Sequence, residues 1–470
     1  MKEYIKKNYL ILLTILFCEI IFVCFGLPIN PDDYWWHVKI GEWIFNNHSV
    51  QTTEIYSWAA NLYNFSWIDH SWLSELIMYI NELIFKNLAP LMFLMISTLI
   101  TYLSIFKFFN KKNNLFVILY TIFYFILFQK MLAPRPYVLG LMFLVLLIYE
   151  LEKVKENKKV NFIYLAILFI LWTNMHGASA LLGILFILYY LIFSLIHINN
   201  KFLIINKQSK EQKITYLKIL ITNIICIFIN PYGYKSVFYI LSHDKIATQF
   251  INEWHSVIEA KSYFIIVLCV ISFVLLIKNI KKMEIQNILV IIGLIFLSLY
   301  QIRYIMYLIA FVGIYLIPIM NENKKNIERI VRILGIMSIL LLVFFITNPQ
   351  EVTYKKISDD MISTIKQESP QRIYNEYGLG GYLIYKDIPV WWDARADLYR
   401  DSILLDSFLA QLNEEKLDEQ YNFNHDEFIK KYNFDYILLT KQSKMNDYIK
   451  DLGYKIIKED SQNIFYKKIE

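Results

Sequence analysis

The stretch Asp32-Asp33-Tyr34-Trp35-Trp36-His37 follows the first apolar run of the chain, Tyr9 to about Leu27. Two adjacent carboxylates, two indoles and an imidazole stand where the chain should leave a bilayer. A carboxylate costs roughly 2.5–3.5 kcal/mol at the centre of a span, so the pair marks an interface or a functional cavity. Trp is the residue of the membrane–water boundary. The motif therefore reads as acid chemistry at a membrane surface, and the run before it as a span.

The rest of the chain agrees. Of 470 residues, 57% are hydrophobic and 19% charged, with a mean hydropathy of +0.39. A soluble chain is nearer 45–50% apolar and about 25% charged. Apolar runs fall at about 9–27, 88–109, 115–129, 137–150, 160–173, 178–198, 214–230, 262–278, 284–300, 304–320 and 329–347, about eleven spans. Lys2, Lys6 and Lys7 precede a run too long for a signal-peptide core, and no A-x-A site follows, so the first span reads as a retained signal anchor. The net charge of +6 does not call for a nucleic-acid partner, because most Lys and Arg fall in loops. Cys18, Cys24, Cys226 and Cys269 lie in apolar segments without disulfide or metal spacing.

Basic residues fill alternate loops: Lys111/Lys112, Lys153/Lys155/Lys158/Lys159, Lys207/Lys210/Lys213, Lys278/Lys281/Lys282 and Lys324/Lys325/Arg329/Arg332. Positive loops stay inside. The N-terminus is then cytoplasmic and the C-terminus outside. Two segments break the pattern. The first outer loop, 28–87, is long and aromatic, and Ser71 to Lys86 shows helical periodicity suited to a membrane surface. The tail after Asn348 loses the span pattern. Its short runs Gly381–Tyr385, Ile388–Trp392, Phe434–Thr440, Tyr454–Lys458 and Asn463–Lys467 read as strands. The expected organisation is a transmembrane domain, 1–347, and a small extracytoplasmic α/β domain, 348–470.

The polar residues that interrupt this pattern are Asp32, Asp33 and His37; Asp69, His70 and Glu75; Arg135; His176; Asn230 with Glu253-Trp254-His255; and Arg303. The topology maps all of them to the outer face, which one polar site built from several loops explains better than independent loops do. Each has a plainer reading. Asp32 or Asp33 fits a helix cap. Trp35 and Trp36 fit interface anchoring and packing as well as substrate stacking. His37 and His70 beside carboxylates suit a divalent metal, but without compact ligand spacing. Arg135 and Arg303 suit snorkelling, and His176 a helix end. In the tail, Gly378-Leu379-Gly380-Gly381 lacks the spacing of a phosphate loop. If extended, Asp393, Arg395 and Asp397 share one face, either as an ion-pair ladder or as a polar rim closing over the membrane site.

Taken in order, several motifs resemble one family. They are Asp33-Tyr34-Trp35-Trp36-His37 with Gly41, Ser57-Trp58, Trp72-Leu73-Ser74-Glu75, Arg135-Pro136, Asn174-Met175-His176-Gly177, Asn230-Pro231-Tyr232-Gly233, Glu253-Trp254, Arg303, Asn375 to Leu383, and Asp393 to Tyr399. The chain resembles bacterial polytopic proteins of the GT-C glycosyltransferase superfamily, the polyprenyl-phosphate-sugar type. The resemblance implies a GT-C-like helical membrane core whose first outer loop carries the catalytic carboxylate, with Asp33 as the best match and Asp32 second. It implies a divalent metal such as Mg or Mn in some members and none in others. The expected activity is transfer of a sugar from a lipid-phosphate donor to an extracytoplasmic glycan, lipid or protein acceptor, with inversion. On that reading His37, Asp69 and Glu75 shape or ligate the site, and any metal lies near Asp33 and His37. Arg135, Arg303 and His176 hold the donor phosphate, and Glu253, Asp393, Arg395 and Asp397 remain for acceptor or lid. Two rivals share the topology: a flippase for lipid-linked saccharides, which predicts polar groups at mid-membrane and inverted halves, and a polysaccharide polymerase or ligase.

Overall fold

The computed structural model describes residues 2–25, 32–65, 67–109, 115–131, 133–199, 204–242, 247–320, 355–399, 401–412 and 414–469. The protein is mostly helical. Each apolar run from 9–27 through 304–320 falls on a helix; the run 329–347 lies outside the described residues. Among the described residues, four helical stretches are long and apolar enough to cross a membrane: Trp72–Phe106, Gly177–Leu195, Phe264–Lys282 and Ile302–Ile319. The first is interrupted at Lys86, where φ is +49°, and its second part, Ala89–Phe106, is itself 18 residues long, about the length a bilayer needs. We read that second part as the span. Large apolar side chains on these and the shorter apolar helices face outward, Ile163 at 73% exposure and Phe296 at 68%, as lipid contact requires and water does not favour.

Contacts divide the chain into two compact units. One comprises Met1–Ile29, Leu91–Val237 and Ile251–Val352; the other comprises Asn30–Pro90, Phe238–Phe250 and Thr353–Glu470. By its contacts the first long loop thus belongs with the tail.

Within the first unit a polar network joins several helices. Tyr190 donates to Glu152 Oε1 at 2.6 Å and lies 2.8 Å from the Tyr315 hydroxyl. Gln212 donates to the carbonyls of Val154 and Lys155, and Lys155 pairs with Glu284 at 2.9 Å. Such groups stay buried only when their hydrogen bonds are made.

The second unit contains a four-stranded sheet of order β3-β4-β6-β5; β1 (Ile198–Asn199) and β2 (Ile204–Ile205) form a small hairpin in the first unit. Here β3 (Ile373–Asn375) is parallel to β4 (Tyr436–Thr440), while β6 (Asn463–Lys468) is antiparallel to both β4 and β5 (Tyr454–Glu459). The last three match the expected strands. Two other expectations are corrected. Gly381–Tyr385 is the end of a helix, Tyr377–Tyr385. Ile388–Trp392 joins no sheet and makes a single parallel bridge from Val390 to Ser57. The reason is tertiary: a Cβ on Gly380 would lie 2.4 Å from the carbonyl oxygen of Trp392, and one on Gly381 would lie 2.3 Å from that of Asp32. These two glycines let backbones meet.

Gly380→Ala should therefore destabilise the protein by about 1–3 kcal/mol or more, the usual cost of overpacking. Gly293→Ala, where a Cβ meets nothing within 4 Å, should leave the melting temperature of the detergent-solubilised protein near that of the wild type.

Candidate functional site

In the second unit, the helix Asp32–Asn47 opens with both acids in its first turn, where the helix dipole favours negative charge. Asp32 pairs with Lys356, and Asp33 is buried in the same turn. Tyr34, Trp35 and Trp36 are buried too. Trp35 packs edge-on to Tyr382 and against Tyr385, and Trp36 against Trp67 and the His37 ring. These indoles pack inside the unit, as the packing part of their expected role requires. The helix crosses Trp72–Phe85 so closely that a Cβ on Gly41 would lie 2.1 Å from the Glu75 carbonyl oxygen.

That approach brings His37 Nδ1 to 2.8 Å from Glu75 Oε1. Glu75 also hydrogen-bonds to the Asp69 carboxyl, whose Oδ1 accepts the Ser71 N–H at 2.9 Å. The oxygens left for the carboxyl–carboxyl bond are Asp69 Oδ2 and Glu75 Oε2, which meet no N–H or O–H donor. Two carboxyls can bond only if one holds a proton. Burial pushes the pKa of both upward, Glu75 well above the usual carboxylate range, with the Asp69 charge adding to the Glu75 shift. The proton therefore rests on Glu75. Hydrogen-bond accounting then makes His37 Nδ1 the donor to Glu75 Oε1.

Beside this chain lies Arg395, 1% exposed. Its Nη1 donates to Glu54 Oε2 at 2.6 Å, its Nε to Asp393 Oδ1 at 2.8 Å and its Nη2 to both acids. Tyr399 donates to Asp393 Oδ2 at 2.6 Å, and the guanidinium lies 5.1 Å from the Trp67 ring centroid. Asp393 and Arg395 therefore form a buried knot, neither a strand-face ladder nor an exposed rim. Asp397 sits at its edge, accepting from Trp67 Nε1 at 3.3 Å, with His70 Nδ1 3.8 Å away.

Other expected residues gather in the first unit. Arg135 Nη1 donates to Glu253 Oε2 at 3.2 Å. Arg303 stacks on the Trp254 ring at 4.0 Å. Both arginines and Glu253 act electrostatically on the Tyr137 hydroxyl. His176 stands at a helix junction, where it caps Gly177–Leu195 through Ser179, with Nδ1 2.8 Å from Ser179 Oγ.

Glu54, Tyr137 and Lys356 were not singled out by sequence. Glu54 had one signal: it is the lone acid between Glu42 and Asp69. Among the described residues no group of three His, Cys, Asp or Glu side chains is arranged to hold a metal ion. No protein-family model matches the chain, and no curated protein sequence matches it.

Two outcomes follow from this geometry. Arg395→Ala leaves two buried carboxylates uncompensated and should cost about 3–5 kcal/mol, seen as a lowered melting midpoint. The raised pKa values of Asp69 and Glu75 mean that the folded protein binds more protons than the unfolded chain. Stability should then fall as pH rises from about 4 through the raised pKa values, at up to about 1.4 kcal/mol per pH unit for one proton. Glu75→Gln, which is neutral at every pH, should flatten that slope in melts of the purified protein; an unchanged slope would place the proton elsewhere.

Proposed function

We propose that the chain is an integral-membrane glycosyltransferase of about eleven spans. It takes a sugar from a polyprenyl-phosphate-linked donor and passes it to an extracytoplasmic glycan, lipid or protein. The observation that carries this reading is the buried chain His37–Glu75–Asp69, whose His37 lies on the helix that bears Asp33 in its first turn. Buried acids with displaced pKa values cluster where proton transfer is done.

The alternation of basic loops supports a cytoplasmic N-terminus and outer placement of the loop and tail. No nucleotide sugar reaches that side, so an activated sugar must arrive on a lipid. An apolar cavity of 410 Å³ in the first unit, lined among others by Phe116, Leu119, Phe123, Ile271 and Ile309, offers the kind of surface an isoprenoid chain prefers.

In the proposed reaction Asp33 takes the proton of the acceptor hydroxyl. That oxygen attacks the anomeric carbon from the face opposite the phosphate, the carbon–oxygen bond to phosphate breaks, and polyprenyl phosphate leaves, so the configuration inverts. The leaving group is weakly basic and needs charge stabilisation more than a general acid. Within the first unit, Arg135 and Arg303 are the cations proposed to hold a donor phosphate. Asp32, tied to Lys356, is the weaker candidate for the base.

The test is mass spectrometry of lipid-linked sugars and surface glycans from cells with the wild-type protein, with Asp33→Asn, or with neither. Loss of a general base should reduce product about 10²–10⁴-fold without changing protein level. Full transfer by Asp33→Asn would remove Asp33 from the role. Unchanged glycans, with lipid-linked cargo accumulating on the inner leaflet, would turn the reading toward transport.

A further inference from the structure

One short turn engages both Arg135 and Arg303. The 3-10 turn Asn252–Trp254 sets the Glu253 carboxylate on Arg135 and the Trp254 indole on Arg303. The turn is fastened by backbone bonds, from Ile302 N–H to the His255 carbonyl and from Val257 N–H to the Leu299 carbonyl, both 3.1 Å. Arg135, Arg303 and Glu253 all act on the Tyr137 hydroxyl, so the two guanidiniums and the carboxylate form one cluster. The stack on Trp254 uses the face of the Arg303 guanidinium and leaves its edge donors for a planar or tetrahedral oxyanion. One of them, Arg303 Nη1, is buried and meets no acceptor among the described residues. Burying such a donor unpaired is costly, so the arrangement is that of a site short of an anion.

Glu253 is a weak occupant of that site. It reaches Arg135 through a single contact of 3.2 Å, and the two side chains are 38% and 25% exposed. Exposed pairs of this kind contribute about 0.2–1 kcal/mol. A phosphate ester carries more acceptor oxygens than the one that Glu253 uses, and can bridge two guanidiniums through charge-assisted bonds.

We infer that Glu253 is an internal counter-ion standing where a phosphate ester binds, and that the ligand enters by displacing it from Arg135 while Trp254 keeps Arg303 in place. This rests on the reading that the Arg135–Arg303 cluster receives the donor phosphate. It adds that the affinity of the cluster is set by competition with the protein's own carboxylate.

The experiment titrates the purified full-length protein in detergent with farnesyl phosphate, inorganic phosphate and farnesol, following binding by calorimetry. Glu253→Gln should bind farnesyl phosphate about two- to fivefold more tightly than the wild type, the fold-change equivalent of an exposed ion pair. Glu253→Asp, which keeps the charge, should gain less. A gain with inorganic phosphate as well assigns recognition to the phosphate alone. A gain with farnesyl phosphate only assigns it to the lipid ester, and either supports the counter-ion. A gain with farnesol overturns it, because no charge is then displaced. Equal or weaker binding of farnesyl phosphate by Glu253→Gln and by Glu253→Ala, with melting midpoints unchanged, also overturns it and makes Glu253 a structural partner of Arg135. Arg303→Gln separates the two layers. If it binds farnesyl phosphate as the wild type does, the phosphate reading itself fails; if it loses binding while Glu253→Gln gains none, only the counter-ion does.

Discussion

A guanidinium sealed from water is the constraint on which the second unit depends. Arg395 reaches Glu54 and Asp393 with every link short, and Glu54 Oε1 also accepts the N–H groups of Tyr56 and Ser57 at 2.7 Å. Removing these ions from water costs several kcal/mol each, a loss recovered only when geometry and satisfaction are this complete. The knot is thus less a source of stability than a device that permits one arrangement. It joins the first loop to the tail, and anything that misplaces either leaves an unpaired charge inside.

The same cation influences the chemistry next to it. Its charge favours ionisation of Glu75, while burial and the Asp69 charge oppose it more strongly. The outcome is a carboxyl pushed toward its protonated form beside the His37 ring. This could not be read from residue types alone; it follows from the close crossing at Gly41.

Much of the helical framework was legible because apolar runs of bilayer length leave few alternatives. The strands at Tyr436–Thr440, Tyr454–Glu459 and Asn463–Lys468 were legible from their apolar, β-branched and aromatic content. Gly381–Tyr385 was misread because Tyr, Leu and Ile suit strands locally, whereas the helix there answers to backbone contacts with Asp32 and Trp392, distant in sequence. The ion pairing of Asp393 and Arg395 was legible but its geometry was not: alternation assumes an extended chain, and here Arg395 folds back so that its own N–H and Nε both reach Asp393. For the candidate site, the unusual residues could be named but not sorted. Nothing in the spacing separates His37, Asp69 and Glu75 in one unit from Arg135, Glu253 and Arg303 in the other, since that division is made by contacts between segments hundreds of residues apart.

The bond from Arg395 to Glu54 spans 341 residues, and a ribosome adds about 5–20 residues per second. The loop half of the second unit is therefore made roughly 20–70 s before the strand partners and the arginine that complete it. During that interval Trp35, Trp36 and the acids of the loop have no finished core to enter. Synthesis order makes this unit the last part of the protein to close, and the part most in need of shelter while the intervening helices are being inserted.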